Sequence, residues 1–128
     1  MRYEQIKRRD HATIDAMLDS GNVADIVDAL HSAAYWDPDW RWAQERLLRF
    51  STHESDDVAW AVASGLGLLA AFHGQLDLDR AESVLRNLMN RPAIRESVEA
   101  VVDEVERFVK LKVGPAQRLP EESERSQT

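Results

Sequence analysis

Four histidines, His11, His31, His53 and His73, stand at nearly even intervals along the chain, and such a set raises the question of a metal site or a general base. Their neighbours do not sustain it. His53-Glu54 opens like the zinc-protease motif His-Glu-x-x-His, but the position four residues after the first histidine is Asp57. No His-Asp doublet occurs, and without a single cysteine the chain has no thiolate ligand, thiol nucleophile or disulfide. Two carboxylate pairs, Asp37 with Asp39 and Asp56 with Asp57, have the spacing for acid–base work. Both stand where helical periodicity begins, and there a carboxylate caps free backbone N–H groups and complements the helix dipole. His31 and His73 are read near helix C-termini, where a partly charged imidazole suits the dipole. The chain has no phosphate-binding glycine loop, no Gly-x-Ser-x-Gly elbow and no lysine set in an apolar stretch. The expectation is a protein that is not an enzyme and holds neither metal nor other cofactor.

What remains is chemistry of contact. The segment "YWDPDWRW", residues 35–42, holds three of the four tryptophans. On a helix starting at Asp37, with Pro38 in its first turn, Trp40, Ala43, Leu47 and Phe50 share the apolar face, while Trp42 falls among Glu45, Arg46 and Arg49. Trp40 is therefore read as core. Trp42 has two readings: an aromatic anchor for a partner, or a ring packed on the first helix pair or the Arg46 stem. Tyr35 and Trp36 staple the corner. Trp60, in line with Ser64 and Gly67, is either packing between repeats or a ligand contact.

Charge narrows the choice of partner. The net charge is −7, and between Asp10 and Ala61 eleven acidic residues face three basic ones. Affinity for a phosphate backbone comes mostly from clustered Lys and Arg, and this net charge speaks against it, so nucleic acid is not the expected ligand. The acidic half either attracts a basic protein surface or is a solvated face that keeps the protein soluble. The candidate partner-binding residues are Trp42, Asp37, Asp39, Glu45, Asp56, Asp57 and Trp60.

These residues are positioned by helices. Six amphipathic segments recur and none alternates like a strand. Val23, Val58 and Ile94 stand 35 and 36 residues apart, each opening a similar apolar series, so the helices group into three hairpins. One hairpin cannot bury its apolar face, but three stacked ones enclose the middle pair. That middle reads "AWAVASGLGLLAAF", nearly free of charge, where Gly65 and Gly67 cost about 1 kcal/mol each against Ala unless close packing offsets them. The fold class expected is all-α, a short right-handed α-solenoid spanning residues 1–113. A polar tail, "GPAQRLPEESERSQT", follows at 114–128 and is expected to be disordered. With no apolar run near the roughly 18 residues of a membrane span and no signal-peptide stretch, a cytoplasmic location is expected and no membrane partner.

"DDVAWAVASGLG" resembles the second helix of a HEAT-type repeat, with Asp57, Val58, Ala61, Leu66 and Gly67 on the pattern. The arginine of that pattern is Ala59 here, although Ile94-Arg95 supplies it in the last repeat. With its "YWDPDWRW" and "LAAFHGQLDL" segments, the whole chain resembles small bacterial HEAT-like immunity proteins of polymorphic or contact-dependent growth inhibition toxins. The resemblance implies a cognate inhibitor that covers a toxin domain, commonly a basic nuclease; it carries over no individual contact residue. The alternative is a HEAT-like adaptor or regulatory scaffold without a toxin partner.

Overall fold

A polar side chain that accepts a backbone N–H starts five helices. Asp10 receives Thr13 N–H ahead of α1 (His11–Leu18), Asn22 that of Asp25 ahead of α2 (Val23–Trp36), and Asp39 those of Arg41 and Trp42 ahead of α3 (Trp40–Arg49). Ser55 receives Asp57 and Val58 N–H ahead of α4 (Asp56–His73), and Asp77 receives Arg80 N–H ahead of α5 (Leu78–Leu88). Each cap satisfies donors that have no partner within the helix. The last helix, α6, spans Arg95–Val113. Gly74 ends α4 with φ at +64°, and Gly21 turns the chain into α2 at +76°, backbone angles that residues with a Cβ rarely adopt. This computed structural model describes residues 6–113, among which all six regular elements are α-helices and no strand occurs. None of the helices is long and apolar enough to cross a membrane. The tail expected at 114–128 lies outside the described residues.

Two helix starts differ from the sequence expectation. Helix α3 opens at Trp40 under the Asp39 cap, whereas Asp37 closes α2 and Pro38 lies between the two. Similarly, Pro92 precedes α6 in a turn closed by the Ile94 N–H on the Arg91 carbonyl, instead of sitting in the helix.

Helix α4 lies at the centre. It packs against α2 on one side and α6 on the other, and α3 and α5 also rest on it. Each odd-numbered helix packs on the even-numbered one that follows. The central position explains the composition of α4: Val58, Ala59, Ala61, Val62, Ala63, Leu66, Leu69 and Ala70 are fully buried, and small residues let neighbours approach from several directions. Gly65 shows the limit of that approach. A Cβ there would lie 2.6 Å from Leu47 Cδ2, so any larger residue would have to displace this α3 side chain, while Ala34 Cβ on α2 would be at 3.4 Å, an ordinary contact. At Gly67 the nearest atom, Val101 Cγ1, would be 3.5 Å away, an ordinary contact. Close packing accounts for the first glycine and not for the second.

Side chains reinforce the joins between helices two apart in the chain. Gln44 is buried and accepts the Asp77 N–H through Oε1 at 3.0 Å, fixing the start of α5 to α3. Arg91 reaches back to Asp56 at 3.0 Å and to the carbonyl of His53, tying the turn before α6 to the start of α4.

Candidate protein-binding surface

The corner where α1 meets α3 holds the most ordered polar cluster. His11 Nε2 and Asp37 Oδ2 are 2.6 Å apart, and the His11 ring stacks on Trp42 with centroids 3.6 Å apart and planes 5° from parallel. Arg46 covers the Trp42 ring, its guanidinium carbon 4.1 Å from the centroid, and forks onto Asp15 with bonds of 3.1 and 3.0 Å. Those bonds hold the Asp15 carboxyl below its ordinary pKa. Trp42 is thus half-buried between an imidazole and a guanidinium, and Asp37, with an exposure of only 8%, also accepts the Asp39 N–H at 2.8 Å.

A second set bridges α3 and α5. Glu45 accepts Arg80 Nη1 at 2.6 Å, which lowers the pKa of the carboxyl and raises that of the guanidinium. Beside it Trp40 is half-buried rather than core, donating Nε1–H to Gln75 at 3.0 Å under the Arg41 guanidinium.

A groove of about 810 Å³ lies between α2 and α4. Val23, Val27, Asp28 and His31 line it from α2, and Asp57, Trp60, Ser64 and Leu68 from α4. Trp60, Ser64 and Leu68 also border an adjoining groove of about 470 Å³ against α6, so the two form a continuous hollow. His31 is buried in this wall, its Nε2 3.0 Å from Ser64 Oγ while Nδ1 is buried without a hydrogen-bond partner. Among the described residues no group of three or more His, Asp or Glu stands where it could hold a metal ion.

No protein-family model matches the chain, and no curated protein does. A chain in the crystal structure of a CDI (contact-dependent inhibition) complex from Cupriavidus taiwanensis LMG 19424 is similar, with a TM-score of 0.72 and 33% identity over 84% of this chain and 96% of that one. The chain belongs to this CDI-complex family. In this family member the seven candidate contact residues fall into separate places. Asp37, Asp39 and Trp42 share the α1–α3 corner; Glu45 is engaged by Arg80 and Asp56 by Arg91; Asp57 and Trp60 line the groove with α2.

The α2 wall of the CDI-family groove was not visible in the sequence. Val23 and Val27 share an apolar stripe with Ile26 and Leu30, yet only the latter two are buried and Val23 is 37% exposed. His31 sits in mid-helix, since α2 runs on to Trp36, and not near the C-terminus. A signal was present in retrospect, because His31 and Ser64 stand 33 residues apart, close to the repeat period.

Burial lowers the pKa of His31 below the ordinary 6.5, against an opposing pull from Asp28. The folded protein therefore takes up this proton less readily than the unfolded chain. The stability His31 contributes is complete above the unfolded value and is lost as pH falls from about 6.5 towards the folded value. Melting temperatures measured from about pH 7 down to about pH 5 should fall more steeply for the wild type than for His31→Gln. Parallel curves would mean that His31 is protonated in place without cost.

Proposed function

We propose that the protein is an immunity protein that binds and neutralises a cognate bacterial toxin domain in the cytoplasm by protein–protein contact. The observation that carries this reading is the likeness, at 33% identity over 84% of this chain, to a chain of a CDI complex. The charge supports it: a net −7, concentrated in the first half, would steer association with a basic surface of the kind a nuclease presents. In this reading the six helices form a short right-handed α-solenoid of three HEAT-like hairpins, and the protein acts as a binder without catalysis or cofactor. Trp42, Asp39 and the groove residues Asp57 and Trp60 are the proposed contacts from the original set; Asp37, Glu45 and Asp56 would act through the field they contribute.

The test is genetic and then biophysical. A large reading frame beside this gene should end in a domain that kills cells unless this protein is co-expressed. The purified pair should bind at nanomolar Kd or tighter, with an association rate that falls steeply as salt is raised. Metabolic or regulatory neighbours, or micromolar binding indifferent to salt, would overturn the immunity reading in favour of an adaptor.

A further inference from the structure

The double groove sets carboxylates without a cationic partner along apolar walls. Asp15, Asp37, Glu45 and Asp56 each have a cationic or imidazole partner within the protein. Asp28 and Asp57, both exposed on the α2–α4 groove, have no Lys or Arg partner among the described residues, and the one other ionised residue along the hollow, Glu104 on α6, is also an acid. Among the described residues no Lys or Arg lines either groove. The walls between these carboxylates are apolar: Val23 and the half-buried Trp60 are held open to solvent with no side chain of the protein covering them fully. His31 stands in the groove wall, 95% buried, and its buried Nδ1 has no hydrogen-bond partner. Free carboxylates, an indole face and aliphatic walls together match one ligand chemistry, an apolar stretch that carries a cation.

We infer that the α2–α4 groove, continuing along α6, seats a segment of the toxin domain that presents a lysine or arginine flanked by apolar side chains. Its cation sits between Asp28 and Asp57 beside the Trp60 ring, and its apolar flank covers Val23, Val27 and Leu68. The inference rests on the toxin-binding reading and adds to it the place and the chemistry of contact. The corner around Trp42 is left as rim, because its charges are already satisfied by neighbours within the protein.

The experiment measures affinity of the co-encoded toxin domain for the wild type, for Asp28→Asn/Asp57→Asn, for Asp28→Lys/Asp57→Lys, and for Asp19→Lys/Asp79→Lys. The last has the same change in net charge at two exposed sites that line neither groove. The groove reversal should weaken binding by roughly 30-fold or more and the asparagine pair by a smaller factor, with melting temperatures close to the wild type for the asparagine pair. The distant reversal should chiefly slow association and lose its effect at high salt. Groove variants that bind no worse than the distant pair would overturn the inference and leave the immunity reading standing. A wild type that neither binds nor protects would remove both. If the groove variants instead convert a dimer into a monomer in sedimentation while toxin affinity is unchanged, the occupant is a second copy of this chain and the inference is wrong.

Discussion

Leu47→Ala should destabilise the protein by about 2–5 kcal/mol, and adding Gly65→Ala to it should return part of that loss. Leu47 is fully buried, and its Cδ2 occupies the space 2.6 Å from where a residue-65 Cβ would stand. In the wild type, Gly65→Ala forces Leu47 aside at a cost of about 1–3 kcal/mol, offset in part by about 1 kcal/mol of helix propensity. Once Leu47 is truncated the new methyl enters vacated space, the displacement cost vanishes, and the helix gain remains. The double variant should therefore be more stable than Leu47→Ala alone. Urea denaturation of the four proteins decides it: single-variant effects that sum to within about 0.5 kcal/mol would show that Leu47 does not hold position 65 to glycine.

Asp37→Ala should cost about 2–3 kcal/mol of stability, and Asp37→Lys more. At 8% exposure this carboxylate accepts the Asp39 N–H and contacts His11 at 2.6 Å, and losing it leaves a donor unpaired at the entrance to α3. His11 then loses the group that holds it against Trp42. The neighbouring Asp39 does less, since removing a cap of this type costs about 1 kcal/mol. Thermal melts of the two alanine variants give the order directly. An Asp37→Lys protein that melts within about 2 °C of the wild type but binds its partner poorly would return Asp37 to the contact surface on which its sequence setting places it.

The helices were legible because apolar residues recur with period 3.6, and the structure sets that recurrence between caps such as Asn22 and Asp77 at starts and Gly74 at an end. The start of α3 was not, because Asp37 and Asp39 are equally competent caps and Pro38 suits the first turn after Asp37. What decides is His11, 26 residues away, which engages Asp37 and leaves Asp39 to cap. Trp40 fails for the same reason: a helical wheel assigns it to the core but does not know that Gln75 draws its indole towards the surface. For Trp42 the second reading, a ring packed on the first helix pair and the Arg46 stem, is the arrangement found. Of the groove, periodicity located Asp57 and Trp60 on one helix. The opposing Asp28 and His31 needed the α2–α4 pairing, which is a fact of packing between helices and not of either segment.

Three long side-chain bonds share one property: Trp40 to Gln75, Glu45 to Arg80 and Asp56 to Arg91 each span 35 residues. Each of these bonds therefore closes a chain loop of the same modest length and does not await the meeting of distant ends. A chain wired in this way folds by extension from whichever neighbouring helices meet first, with low contact order and a correspondingly short time to the native state. For a protein proposed to meet its toxin as soon as that toxin arrives, speed of maturation is set by the same 35-residue rhythm that builds the groove.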